Sequence, residues 1–365
     1  MHVHMYEKAA YALTLSHGVT HVRVMNGVPK QLIWRDNIES GKQIGSTSTV
    51  SSPIISGYKG QYLHHGVSTA SEAKNAVSEY HAKGYDLIKA YGNLNESALA
   101  AIVEEGKRLG IPIAKHGPHA SGDMPVSKLA GFQSFEHVED IYQGPLNHEF
   151  SPQQLPQIMQ SLKATQVPIT PTLNIYEQLT KLSQEKEAYL ATTSKNYTSH
   201  IIGLEASSNQ VKRWLTASDK MAEHNQKVLN FLQLITKRLN ENEIPLLIGS
   251  DSGVLLSPHG LATHNEMRLI HEAGIDSFEV LAAATINPAK ALKLAHKIGT
   301  ISTGLNADFI YSTSNPVKDL SVLKEPEAVV KNGHWYSNKA LQSMRKNAIE
   351  SRSVLEELAV LFEAM

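Results

Sequence analysis

Short apolar runs that end near a lysine, a histidine or an aspartate recur along this chain and constrain its fold more than any other feature. The runs are residues 86–91, 111–116, 133–137 and 244–251, and the polar residues are Lys89, His116, His137 and Asp251. Helical stretches separate the runs, which predicts repeated parallel β/α units. In a closed (β/α)8 barrel all strands end at one rim, so these distant side chains would meet there.

The amino-terminal residues His2-Val3-His4 add two more side chains of the kind that bind metals. Alternate side chains of a strand point to the same face, so a strand here would project both histidines together. Two imidazoles at this spacing can bind a transition metal such as zinc. A His-x-His pair also arises by chance in a chain with 18 histidines, so the interpretation depends on the four residues further along.

With its residues in this order, the chain resembles the metal-dependent amidohydrolase superfamily. That family carries His-x-His on the first barrel strand, a lysine on the fourth, histidines on the fifth and sixth, and an aspartate on the eighth. The matching residues here are His2, His4, Lys89, His116, His137 and Asp251. The resemblance continues through residues 263–267, 282–289 and 299–310 to about Tyr336. The branch it resembles is the imidazolonepropionase-related and prolidase-like group.

The resemblance implies an α/β fold, with a (β/α)8 TIM-like metallo-hydrolase barrel over residues 1–300 and a remnant of a small β-sandwich domain over 301–337. The long polar segment at about 177–242 predicts a helical insertion in the barrel. Residues 338–365 alternate charged and apolar side chains at helical spacing, which predicts an amphipathic C-terminal helix. The family's first strand runs into Met-His-x-His, and here Met1 is already that methionine. We therefore expect an N-terminally truncated form, which leaves localisation open between cytoplasm and periplasm.

The resemblance also implies what each site residue does. Neutral imidazoles and a carboxylate are ordinary zinc ligands, whereas a lysine cation is not. In two-metal members of the family the matching lysine is a carbamate that bridges the ions. Lys89 thus implies two Zn²⁺ ions per chain if it is carbamylated, and one if it is not. The His-x-His pair and Asp251 would bind one ion, and His116 and His137 the other. Asp251 would also be the catalytic general base.

Residues that contact the substrate are harder to identify from the sequence. Prolidase-like relatives have a glycine-rich loop with a histidine after an early strand, and this chain instead has residues 55–65, which end in two histidines. Lys59, His64 or His65 of this segment could hold a substrate carboxylate. With His65, the candidates for substrate contact are Tyr91, His119, Tyr176 and His264. Each has an ordinary structural alternative. The histidines fit a solvated surface as well, and core packing suits at least one of the tyrosines.

Composition excludes several other classes of protein. The net charge is −1, with no basic block and no nucleic-acid motif, so we expect no nucleic-acid partner. No apolar run approaches the length that spans a membrane. The chain has no cysteine, which leaves histidine, aspartate and modified lysine as metal ligands.

The sequence therefore predicts a metal-dependent hydrolase of C–N bonds, such as a prolidase-like dipeptidase, with a small-molecule or dipeptide substrate. Two alternatives stay open. One is a mononuclear deaminase or an imidazolonepropionase-like cyclic amidohydrolase, which the number of metal ions would distinguish. The other is a non-catalytic barrel used for binding, which the complete set of ligand residues disfavours. The sequence leaves homo-oligomerisation open.

Overall fold

A ring of parallel strands forms the centre of the molecule. The computed structural model describes residues 2–118, 125–126 and 129–363. The strands are β1 (His2–Val3), β2 (His21–Val24), β3 (Thr47–Ser56), β4 (His64–Gly66), β5 (Leu87–Ala90), β6 (Ile113–His116), β7 (Ser134–Glu136), β8 (Ile169–Thr170), β9 (Phe309–Tyr311), β10 (Ala328–Lys331) and β11 (His334–Ser337). The first eight pair in parallel in the order β1-β2-β3-β5-β6-β7-β8, with β4 added alongside β3.

Residues 244–252 close this ring between β8 and β1. They pair with β8 through the Ile169–Leu246 bridge and with β1 through the Val3–Ser252 bridge. The approach is close at Gly249, where an added Cβ would lie 2.3 Å from Thr170 Cγ2. A glycine is therefore needed at this point. Residues 244–252 form the closing stave of the barrel, so called because they pair with both neighbours without forming a regular strand. The result is the predicted (β/α)8 barrel.

Helices cover the outside of the barrel. They are α1 (Ala9–Ser16), α2 (Pro29–Glu39), α3 (Ala70–Ala82), α4 (Glu96–Leu109), α5 (Glu139–Gln143), α6 (Leu155–Thr165), α7 (Leu173–Glu185), α8 (Glu187–Thr192), α9 (His200–Glu205), α10 (Val211–Leu215), α11 (Asp219–Glu241), α12 (Leu261–Glu272), α13 (Ser277–Ala284), α14 (Ile286–Ala291), α15 (Asn338–Glu350) and α16 (Val354–Glu363). Helices α7 to α11 lie in the segment between β8 and the closing stave, where the sequence predicts a helical insertion.

Local sequence signals set several helix ends. Thr69 and Glu72 form a reciprocal capping box at the start of α3. The side chain of Asn95 accepts a hydrogen bond from a backbone N–H in the first turn of α4, and Gly110 ends that helix in the left-handed conformation. The fully buried side chains of Ile88 and Phe135 belong to the core between the strands and the helices.

A small antiparallel sheet, in the order β11-β10-β9, follows the barrel. Its central strand β10 is buried along its whole length, and the ammonium of Lys331 pairs with Asp308 at 2.6 Å beside it. No helix in the described part of the chain is long and apolar enough to cross a membrane.

The C-terminal segment forms two helices, α15 and α16, where the sequence predicted one. The chain turns at residues 351–353, and Arg352 uses this turn to reach back to Glu7 near the barrel mouth. Its Nε donates to Glu7 Oε2 and its terminal nitrogen to Oε1, both at 2.7 Å. Both side chains are 5% exposed. This buried ion pair ties the C-terminal helices to the start of the barrel.

We expect Arg352→Met to lower the free energy of unfolding by about 3–5 kcal/mol, because the change leaves a buried carboxyl group without its partner. Urea unfolding followed by circular dichroism measures the loss. The matched control is Arg238→Met, which removes the partly exposed pair with Glu241 and should lower stability by about 1 kcal/mol or less. Equal losses in the two variants would contradict a structural role for the Glu7–Arg352 pair.

Candidate metal centre

The carboxyl ends of the barrel strands bring the six predicted ligand residues to one rim. His2 lies in β1, Lys89 in β5 and His116 at the end of β6. His137 follows β7 directly, and Asp251 lies in the closing stave. The imidazole centroids of His2 and His137 are 4.7 Å apart, and those of His116 and His137 are 4.4 Å apart. His4 completes the group, with its ring centroid 5.4 Å from that of His2.

Asp251 faces the nitrogen atoms of the His-x-His pair. Its Oδ1 lies 3.3 Å from Nε2 of His2 and 3.0 Å from Nε2 of His4, and it makes no hydrogen bond with the part of the chain described. Burial lowers the pKa of His2 to about 3, so the ring is neutral at neutral pH.

The geometry of His2 then suits a cation. Its Nδ1 lies 2.8 Å from Oε2 of Glu136 and donates its proton there, so Nε2 presents a lone pair. That lone pair faces the anionic Oδ1 of Asp251, and two lone pairs at this distance repel each other unless a cation lies between them. Donor atoms of His2, His137 and Asp251 all lie within 4.8 Å of one another. Imidazole nitrogen and carboxylate oxygen are the donors that zinc prefers, so these residues fit a zinc site.

Two of these residues have left-handed backbone conformations, with φ of 73° at His137 and 53° at Asp251. Such a conformation costs a non-glycine residue about 1–2 kcal/mol. The surrounding barrel holds both residues in it, and it turns their side chains into the mouth. Strain of this kind is concentrated at binding and catalytic sites.

Lys89 lies in the same interior with its ammonium unpaired. The side chain is 2% exposed, and Nζ has no hydrogen-bond partner among residues 2–118, 125–126 and 129–363. Burial lowers the pKa of Lys89 to about 8, although the carboxylate of Glu136 acts in the opposite direction. A buried and unpaired ammonium is unfavourable, whereas a neutral amine is the form that reacts with carbon dioxide. The environment of Lys89 therefore fits a carbamate.

Glu136 supports the site from inside the barrel, and the sequence interpretation missed it. Besides binding His2, its Oε1 accepts hydrogen bonds from Arg23 and from Ser134, each at 2.5 Å. Burial would raise the pKa of Glu136, but Arg23 and His2 keep it well below its usual range. Both Arg23 and Glu136 are fully buried. A glutamate at the end of an apolar strand, directly before a ligand histidine, is the signal that could have identified it.

Two further acidic residues, Glu139 and Asp140, follow His137 at the rim. Asp140 Oδ1 lies 3.8 Å from Nε2 of His116. Burial, together with the charges of Asp140 and Asp251, raises the pKa of Glu139 to about 8. The sequence interpretation did not include either residue. Their position two and three residues after a ligand histidine was the available signal.

Of the predicted substrate contacts, Tyr91 lies beside the predicted ligand His116. Its ring centroid is 4.1 Å from that of His116. Tyr176 is half-buried, and both burial and the charge of Glu139 raise its pKa. Burial also raises the pKa of Tyr91, to about 12, so its phenol can donate a hydrogen bond at neutral pH.

Of the three histidines predicted to contact the substrate, two make hydrogen bonds with other parts of the chain and the third lies outside the described residues. His65 Nδ1 is 2.7 Å from the hydroxyl of Tyr80 in α3, and His264 Nε2 is 2.7 Å from the carbonyl oxygen of His17. His119 lies outside the described residues. The neighbouring His64 takes the position expected of His65, with its ring 5.2 Å from that of Tyr91. Consecutive residues of a strand point to opposite faces, so only one of the two histidines can face the site.

The chain matches the amidohydrolase family over residues 12–336. It is similar to a solved structure described as a bottromycin amidohydrolase, with a TM-score of 0.79 and 19% identity over 96% of this chain and 78% of that one. It is also similar to a Xaa-Pro dipeptidase with bound methionine, with a TM-score of 0.67 and 20% identity over 92% of this chain and 85% of that one. At these identities the likeness establishes the fold.

A curated protein, adenine deaminase 4 of Rhizobium meliloti (strain 1021), is 39% identical over 69 residues. This match covers 19% of the chain and only 10% of that protein.

We expect Glu136→Gln to weaken zinc binding by about 10–100-fold, the usual effect of losing a partner of a ligand histidine. The amide keeps the shape but cannot accept hydrogen bonds at both ends, and it leaves Arg23 without its anion. Competition with a chromophoric chelator measures the affinity. Glu243→Gln, which removes an exposed pair with Lys163, is the control and should bind zinc normally. Unchanged affinity in Glu136→Gln would show that the carboxylate does not organise His2.

Proposed function

The chain belongs to the amidohydrolase family, and on that premise we propose that it is a prolidase-like dipeptidase with two zinc ions. The coarser statement, a hydrolase acting on C–N bonds, follows from the family and from the enzymes that share its fold. One observation carries the metal dependence in this proposal. The neutral ring of His2 faces Oδ1 of Asp251 at 3.3 Å, that oxygen has no hydrogen-bond partner among the described residues, and a cation resolves the repulsion.

Two sets of residues would hold the two ions. His2, His4 and Asp251 would hold one ion, His116 and His137 would hold the other, and a carbamate on Lys89 would supply further oxygen ligands. The contact between the rings of His116 and His137 supports this division, as does Nζ of Lys89, which has no hydrogen-bond partner within the described chain. When bound, zinc supplies a Lewis acid that lowers the pKa of water towards 7 and polarises a carbonyl group.

Asp251 would move the proton in this reaction. An aspartate is ordinarily ionised at neutral pH, and the carboxylate is the form that can accept a proton. The oxygen of a water molecule attacks the carbonyl carbon, and the C–N bond breaks. One proton passes from that water to Asp251 and then to the leaving nitrogen. The phenol of Tyr91, whose ring lies beside that of His116, would donate a hydrogen bond to the substrate.

One alternative has an observation in its favour. The short match to adenine deaminase 4 is compatible with a deaminase that uses a single ion. In that case Lys89 would remain an unmodified amine, and the product would include ammonia. The number of bound ions and the identity of the product both distinguish this alternative from a dipeptidase.

We expect Lys89→Ala to bind one zinc ion per chain where the parent binds two, because the variant cannot form the bridging carbamate. Metal analysis of the purified proteins, with and without bicarbonate, measures the stoichiometry. Acetate or propionate should restore part of the second ion, since a small carboxylate can occupy the space of the carbamate. Two ions bound by the variant without any added acid would remove Lys89 from the site. One ion in the parent, unchanged by bicarbonate, would favour the deaminase.

We expect Asp251→Asn to lower turnover by about 100-fold or more, because the amide cannot accept the proton. The experiment that tests the proposed function compares this variant with the parent on Xaa-Pro dipeptides, other dipeptides, N-acyl amino acids and adenine. Released amino acids and ammonia are measured separately. Cleavage of Xaa-Pro dipeptides by the parent alone supports the proposal. Ammonia release from adenine without peptide cleavage would overturn it, and equal rates in the two proteins would show that Asp251 is not the base.

A further inference from the structure

Helix α7 begins without a cap from its own sequence. Its N-cap residue is Thr172, whose φ is 57° and whose side chain makes no capping hydrogen bond. The cap comes from α12 instead, where the carboxyl group of Glu266 accepts hydrogen bonds from the backbone N–H groups of Leu173 at 3.1 Å and Asn174 at 2.7 Å. Glu266 is fully buried and so satisfies the first turn of α7 from a different helix.

Thr172 does not cap the helix because its hydroxyl is used by the candidate metal centre. The hydroxyl donates its proton to the carbonyl oxygen of Pro171 at 2.6 Å. Its remaining lone pairs can therefore accept from Nδ1 of His137, which lies 2.7 Å away. This arrangement places the imidazole proton on Nδ1 and leaves Nε2 free to bind a metal. The left-handed backbone at Thr172, which Glu266 holds in place, thus sets the tautomer of His137.

A second chain of hydrogen bonds leads from α12, through Asn174 of α7, towards Asp251. The amide nitrogen of Asn174 donates to the carbonyl oxygen of Ser250 at 2.8 Å and to the hydroxyl of Ser257 at 2.7 Å. Its amide oxygen accepts from Nδ2 of Asn265 at 2.9 Å, and Asn265 is the residue before Glu266. Ser250 in turn precedes Asp251, whose backbone is left-handed. Two consecutive residues of α12 therefore lead to two ligand-bearing loops.

We propose that Glu266 and Asn265 are positioning residues that set the metal affinity of the site. Glu266 acts on His137 through Thr172, and Asn265 acts on Asp251 through Asn174 and Ser250. Neither residue touches the ligand atoms. The inference rests on the proposed function in taking His137 and Asp251 as metal ligands.

The burial of Glu266 agrees with a specific role. Desolvation raises the pKa of this carboxyl to about 8, although the N–H groups at the start of α7 act in the opposite direction. An apolar side chain in this place would avoid that desolvation but would leave the N–H groups of Leu173 and Asn174 without an acceptor. Each oxygen of the carboxyl group, protonated or not, has a lone pair that can accept from one of the two donors.

Glu266→Gln tests whether Glu266 acts on His137. The amide has one accepting end, so one N–H at the start of α7 faces the hydrogens of the new NH₂ group. We expect zinc affinity about 10–100-fold lower, measured with Zn²⁺ by chelator competition, and an altered visible spectrum when Co²⁺ replaces zinc. Glu272→Gln, on the same helix but partly exposed, should change neither. A lower melting temperature of the metal-free variant with unchanged zinc affinity would overturn the proposal.

Thr172→Val, alone and combined with Glu266→Gln, completes a double-mutant cycle. Valine keeps the size of threonine but loses the acceptor for His137, so it should weaken zinc binding by itself. If Glu266 acts through Thr172, adding Glu266→Gln to Thr172→Val should weaken binding much less than it does in the parent. If the fold loss of zinc affinity in the double variant equals the product of the losses in the two single variants, Glu266 does not act through Thr172.

Asn265→Ala tests whether Asn265 acts on Asp251 through Asn174 and Ser250. This variant remains informative if Glu266→Gln fails to fold, because Asn265 is only half-buried. We expect about tenfold weaker zinc binding, since the amide of Asn174 loses its orientation against Ser250. Normal affinity would overturn the role of Asn265. All these measurements use zinc without any substrate. A failure of the dipeptidase assignment therefore leaves them valid, and a failure here leaves the substrate assay unaffected.

Discussion

The repulsion between Asp251 and His2 is the constraint on which the rest of this site depends. A carboxylate oxygen lies 3.0 Å and 3.3 Å from two imidazole nitrogens and makes no hydrogen bond within the described chain. The buried ring of His2 is neutral and its one proton lies on Nδ1, facing Glu136, so no proton on Nε2 relieves the contact. A divalent cation would turn this repulsion into ligation. The arrangement is preorganised for a metal and is unfavourable without one.

Preorganisation requires partners behind the ligands, and the barrel supplies them from several strands and helices. Arg23 keeps Glu136 ionised, so that Glu136 can accept a hydrogen bond from Nδ1 of His2. Thr172 accepts the corresponding hydrogen bond from Nδ1 of His137. Nε2 of each predicted ligand is thereby left without a proton. Lys89 differs, because its Nζ has no partner in the described residues and its lowered pKa favours the amine that a carbamate needs.

The irregular shape of the closing stave, residues 244–252, follows from the position that Asp251 must take. It must pair with β8 and β1 and also deliver Asp251 in a left-handed conformation. Gly249 allows the close approach to Thr170, and the amide of Asn174 holds the carbonyl oxygen of Ser250. Regular ladder geometry is lost at the point where the ligand is needed. The stability of this loop therefore depends on α7 and α12, which lie outside the barrel wall.

The sequence by itself determined the barrel and its rim, because strand period and strand direction are local properties that bring Lys89, His116 and His137 to one end. It could not choose between His64 and His65, since adjacent residues differ only in the face that the sheet later buries. The break in the C-terminal helix and the partnership of Glu266 with α7 were equally hidden. Each depends on a contact between residues far apart in the chain, such as Arg352 with Glu7. Only the packed tertiary structure decides which distant donor meets which acceptor.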